Sequence, residues 1–261
     1  MYETGVVVSR FRNIAHVRMS DRRIRMVCTV QYTPAAIRFR LVPDAWRALD
    51  LRVGDELVFD HERVSVRGRT EAVLRDPEIQ LEAGAVRLHT GWIPILMSMW
   101  RDPHSHSHSH SHSESHDRLL VHRLRERTNG LPARAAVDGL LGLGQGLTPS
   151  GDDILLGYTL VEYVVSSRAS EAVVGRYLRT AAWSRTTEFS ASLLEAASHG
   201  QVAADLSRLF GLFASEPCGD AIDSVRTYVE ATGHYSGRDT AYGIARGMQV
   251  WACEDDRRST A

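Results

Sequence analysis

An α+β fold, with an N-terminal antiparallel β barrel or sandwich followed by a C-terminal helical bundle, is predicted by three observations. The first hundred residues break into short runs rich in Val, Ile, Tyr and Phe, separated by Arg, Asp and Gly, the pattern of a small all-β unit. From Asp117 onward, apolar residues recur at helical spacing and the connections between such stretches are short. Between the halves lies a tract of alternating His and Ser with almost nothing apolar to bury. The expected organisation is a β-rich domain over 1–101, a flexible linker or loop over 102–117, and a helical domain over 118–261.

The elements follow in order. Strands are predicted at 5–8, 14–19, 26–32, 37–42, 56–59, 64–66 and 71–74. Pro43 stops the fourth run and opens a short helix ending at Leu49. The string Val42-Pro43-Asp44-Ala45-Trp46-Arg47-Ala48-Leu49, followed by Val53-Gly54-Asp55-Glu56-Leu57, resembles the half-barrel of AbrB-type DNA-binding regulators, which implies a regulator acting through the β domain. The histidines at 104, 106, 108, 110, 112 and 116 could collect Zn²⁺ or Ni²⁺, but a working metal site needs a geometry that such a repeat lacks. The tract is read as a boundary. Leu119, Leu120, Val121 and Leu124 open one predicted helix, and others are predicted over 131–141, in the segment after the glycine-rich loop, and at about 171–182, 187–198, 202–214, 219–231 and 239–253.

Composition narrows the function classes. A net charge of -1 gives no global attraction for a polyanion, so no nucleic-acid partner is expected from charge. All 31 basic residues are arginine. A phosphate-loop lysine, a Schiff-base lysine and any chemistry needing a lysine amine are thereby excluded, and anion recognition falls to arginine, backbone N–H groups or a metal. Cys28, Cys218 and Cys253 are widely separated, which argues against a zinc site or disulfide framework and for a reducing compartment. No apolar run approaches a membrane span, and Met1-Tyr2-Glu3-Thr4 does not open a signal peptide. A cytoplasmic location is expected.

The densest chemistry lies in Gly142-Leu143-Gly144-Gln145-Gly146-Leu147-Thr148-Pro149-Ser150-Gly151-Asp152-Asp153. Its glycines let backbone amides approach a ligand, and Pro149 stiffens the turn. Ser150 is placed to N-cap the next helix, with Asp153 completing a capping-box arrangement. Ile154, Leu155, Tyr158, Val161, Val164 and Val165 then give that helix an apolar face. Amides of residues 144–151 at a helix N-terminus suit an anion. Two adjacent carboxylates complicate this, and two versions stay open. In one, Asp153 caps while Asp152 orients a substrate amide or an arginine; in the other, both hold Mg²⁺ with Thr148 or Ser150.

This string resembles the signature of a bacterial family of unknown function that includes the AllH-type subunit of oxamate carbamoyltransferase. Two later segments fit the same family: Arg185-Thr186-Thr187 with Ser190, Leu193, Leu194, His199 and Gly200, and Gly233-His234-Tyr235-Ser236-Gly237-Arg238-Asp239-Thr240 with Gly243. Arg238 departs from the aromatic residue expected there. The resemblance implies carbamoyl transfer, a small anionic substrate such as carbamoyl phosphate or oxamate, and association with other carbamoyltransferase subunits. Candidate catalytic residues are Asp152, Asp153 and His234, the last an imidazole able to move a proton near neutral pH. Candidate substrate-binding residues are Gly144, Gly146, Thr148, Ser150, Gly151, Arg185, Thr187, Ser236 and Asp239, with Arg185 the nearest cation for a carboxylate. Thr187, Ser236 and Asp239 read equally as helix-capping residues. A noncatalytic ligand-binding or assembly subunit is the alternative. The three segments fall at helix starts and interhelical loops, so they are expected to meet at one end of the bundle.

Overall fold

The computed structural model describes residues 2–29, 38–76, 78–84, 86–100, 134–167, 172–233 and 235–259. The His/Ser tract, the predicted helix opening at Leu119 to Leu124 and His234 lie outside these. The chain forms two compact units, Met1–Ile79 with Val202–Ser207, and Gln80–Gln201 with Arg208–Ala261.

The first unit is built on one eight-stranded sheet. Its strands are β1 (Glu3–Arg10), β2 (Ile14–Met19), β3 (Ile24–Thr29), β4 (Arg38–Leu41), β5 (Glu56–Asp60), β6 (Arg63–Val66), β7 (Arg69–Ala72) and β8 (Leu74–Arg75), in the order β7-β6-β5-β1-β2-β3-β4-β8. Pairing is antiparallel except between β3 and β4, which run parallel. Four strand spacings separate β5 from β4 in the sheet, about 19 Å if it were flat. Yet Phe39 of β4 and Phe59 of β5 stack with centroids 4.3 Å apart. The sheet therefore curls on itself, and the barrel-like form, not the sandwich, is realised. Alternation on β5 points Leu57 and Phe59 inward, where they join Val7, Val17, Val27, Leu41 and Trp46, the last from helix α1 (Pro43–Leu49). Arg38 is buried in this unit, ion-paired with Asp76 and, at 2.9 Å, with Asp205 from the returning segment.

The second unit is helical, and holds α2 (Trp92–Trp100), α3 (Arg134–Leu140), α4 (Ser150–Val165), α5 (Val173–Ala181), a 3-10 turn (Ala182–Ser184), α6 (Glu188–Ser198), α8 (Gly219–Ala231) and α9 (Ser236–Ser259). The remaining helix, α7 (Ala204–Phe213), begins in the first unit and ends in the second. Residues predicted as the start of a helix at 202 instead form part of β10 (Gln201–Ala203), which pairs with β9 (Glu78–Gln80). α4 is buried around nearly its whole circumference, and carries Asp152, Asp153, Thr159 and Glu162 inward among its apolar residues.

Helices α4 and α9 lie against each other with no side-chain layer between them. A Cβ on Gly157 would overlap the carbonyl oxygen of Thr240, and one on Gly243 would overlap that of Ile154. Further along, Gly247 meets Val161. Contact positions advance together along both helices, so the two run parallel and begin at the same end of the unit. No helix among the described residues is long and apolar enough to cross a membrane.

Candidate functional site

The loop between α3 and α4 is shaped by positive φ at Gly142 (75°), Gly144 (128°) and Gly146 (92°). At Gly144 the requirement is strict, because a Cβ there would lie 2.6 Å from the Ser150 nitrogen, in a conformation L residues rarely adopt. The tip is different. Gln145, Gly146 and Leu147 are exposed, and open space surrounds Gly146. Among the described residues, the N–H groups of Gly144, Gln145 and Gly146 make no backbone hydrogen bond.

Pro149, not Ser150, is the N-cap of α4, and no side chain caps the helix. The predicted capping box is absent because the Pro149 carbonyl itself accepts the N–H groups of Asp152 (2.8 Å) and Asp153 (3.1 Å). Ser150 and Gly151 become the first two helical residues, with Gly151 seated against the Leu140 carbonyl. Both Asp side chains are released from capping and turn into the protein, where they are 1% and 4% exposed.

Once inside, the two carboxyls part. Asp152 Oδ1 accepts the Gly142 N–H at 2.7 Å, while Oδ2 accepts the hydroxyls of Thr186 and, at 2.7 Å, Ser190. Burial raises its pKa, and these hydrogen bonds oppose the rise. Asp153 lies beneath Ser236 and Thr148, whose hydroxyls share a hydrogen bond of 2.9 Å. Burial pushes Asp153 well above the ordinary carboxyl range, the nearby Asp239 pushes it further, and the two hydroxyls pull it back. Asp239, 6% exposed, accepts the Trp100 indole N–H at 2.9 Å through Oδ1. Its Oδ2 is buried and makes no hydrogen bond among the described residues. Burial pushes its pKa up to about 6, against the pull of Trp100, the adjacent Ser150 hydroxyl and the Arg238 charge.

The remaining candidates flank this centre. Thr187 N-caps α6, accepting the Ser190 N–H at 3.1 Å, and donates its hydroxyl to the Leu147 carbonyl at the loop tip. Arg185 is paired with Asp138 of α3, including a 2.8 Å bond to the Asp138 carbonyl, so its charge already has a protein partner. Ser236 opens α9. The structure thus brings the loop, the start of α4, the start of α6 and the start of α9 to one place. The residues do not fit the Mg²⁺ version, since Asp152 is occupied by three protein donors and, among the described residues, no three His, Cys, Asp or Glu side chains converge to hold a metal.

Sequence reasoning missed Trp100, which reaches Asp239 from α2 and stacks on Tyr242 at 4.0 Å. It also missed Glu162. This buried carboxylate accepts the N–H groups of Val173, Val174 and Gly175 at 2.9–3.0 Å, so the protein fills the anion position of α5 with its own side chain. Its only signal in the sequence was an acidic residue in the middle of an apolar helix.

Residues 140–248 match the family model described as oxamate carbamoyltransferase subunit AllH. This segment is similar to the AllH family. It spans less than half of the chain, and it contains the glycine-rich loop, α4, α6 and the first half of α9. Every residue of the buried carboxyl network except Trp100 lies within the matched segment. No solved structure matches the chain.

Proposed function

We propose that the chain is a subunit of an oxamate-type carbamoyltransferase and that its glycine-rich loop binds a small anion, carbamoyl phosphate or oxamate. The observation that carries this reading is the juncture of that loop with α9 through Thr148 and Ser236. It puts exposed amides, two helix N-termini and two hydroxyls beside one another. Helix N-termini and unpaired amides favour negative charge. In carbamoyl transfer, the acceptor nitrogen bonds to the carbamoyl carbon, the bond from that carbon to the phosphate oxygen breaks, and the nitrogen loses a proton. The loop's part is to hold and orient the anion, which is where positioning and fixed dipoles act. Asp152 and Asp153 are positioning residues that lock the loop to α6 and α9, and His234 is the proposed proton carrier.

Burial of the carboxyls favours a second reading, in which the chain holds ligand or assembles the complex while chemistry occurs on a partner. Purified alone and with its co-purifying subunits, the protein is assayed for carbamoyl-phosphate-dependent transfer to oxamate. Activity in the complex that Gly146→Asp weakens through a higher KM, with Gly146→Asn as neutral control, supports loop binding. Activity confined to the complex and unmoved by Gly146→Asp supports the assembly role. Absence of transfer from chain and complex alike, with controls active, rejects the assignment.

A further inference from the structure

Asp153 and Asp239 stand in the first turns of two parallel helices that touch through glycine, so their carboxyls are held in one buried space below the Thr148–Ser236 hydrogen bond. The groups facing that space can be named element by element. α4 adds Asp152, whose oxygens are committed to Gly142, Thr186 and Ser190. α9 adds Arg238, which acts on Asp239 from a half-buried position. α2 offers the Trp100 N–H, and the loop and the start of α4 offer the hydroxyls of Thr148 and Ser150, all neutral. Among the described residues, three carboxyls thus share this region with one guanidinium, which acts on Asp239. A second, separate sign of incomplete compensation is the Asp239 Oδ2 atom, buried without a hydrogen bond among the described residues. Unpaired charge in such surroundings is relieved by taking up a proton.

We infer that Asp153 and Asp239 form a proton-holding pair coupled to the loop, so that binding of an anion at Gly144–Leu147 draws a proton onto the pair. The inference rests on the anion-binding reading of the loop. The coupling runs through Thr148, which belongs to the loop and also contacts Asp153, and through Ser236, which joins Thr148 to the start of α9. A negative charge arriving at the loop makes ionisation of the pair less favourable and raises its proton affinity. By linkage, anion affinity falls as pH rises through the range where the pair titrates. Burial moves that range upward for both carboxyls, to about 6 for Asp239.

The test is calorimetric titration of the full-length protein with sulfate, which does not titrate here, in two buffers of different ionisation heat at pH 6.5. Sulfate binding with uptake of a fraction of a proton, reduced to near zero in Asp239→Asn, is expected. Binding with no proton uptake in the wild type overturns the inference and leaves the anion-binding reading standing; no binding overturns both. A ligand-free check is the pH dependence of the thermal midpoint. The wild-type midpoint should decline between pH 4 and 6.5, and Asp239→Asn should flatten that slope. Equal slopes in the two proteins overturn the pair as a proton holder.

Discussion

Adjacent in sequence, Asp152 and Asp153 have separate tasks, because successive helical residues point about 100° apart. Asp152 faces α6 and the Gly142 amide, while Asp153 faces α9. The sequence showed a pair of carboxylates at a helix start but gave no means of seeing that each had a different neighbour. Asp152→Ala leaves one N–H and two hydroxyls without their acceptor, and a cost of about 3 kcal/mol is expected. Chemical denaturation checks this, with Asp152→Asn expected to cost less because one acceptor oxygen is kept. At Asp239 the sign of the pH effect follows from a folded pKa of about 6 against an ordinary 3.8. The folded state holds its proton more tightly than the unfolded chain. Its contribution to stability is fully present below about pH 3.8 and is lost as pH rises through about 6, on the order of 3 kcal/mol in all.

Helices with strong period and clear punctuation were legible. The expected 187–198 and 219–231 are realised as Glu188–Ser198 and Gly219–Ala231, and β2 falls at the predicted bounds. Trp92–Trp100 was not legible, since its residues are apolar on every side, carry no capping signal and include Pro94, which a first turn tolerates. Barrel and sandwich stayed open in the sequence, because the choice depends on Phe39 and Phe59 meeting across three intervening strands. At the α4–α9 contact, Gly243→Ala drives a methyl into the Ile154 carbonyl. Overpacking of this kind costs about 1–3 kcal/mol, more than the gain in helix propensity of up to about 1 kcal/mol. Gly146→Ala meets only open space but must hold a φ of 92°, so roughly 1 kcal/mol is expected. Comparing denaturation midpoints of the two variants separates packing from backbone strain.

At the scale of the whole molecule, the barrel-like unit is completed by a segment that returns after most of the helical chain has been traversed. Arg38 takes one of its carboxylate partners, Asp205, from that segment. Asp205→Asn should destabilise the protein by on the order of 2 kcal/mol, less than a fully buried pair because the Asp205 side chain is 29% exposed. A fragment ending at residue 101 lacks Asp205 altogether and should melt below the intact chain; a fragment as stable as the full protein would show that the return segment adds nothing. The glycine-mediated contact of α4 with α9 has a mechanical consequence. Shear between packed helices relies on side chains that can change rotamer as they slide, and two backbones in direct apposition offer none. Movement at this end of the unit is therefore confined to the few residues at the loop tip, while the scaffold beneath behaves as a single stiff strut.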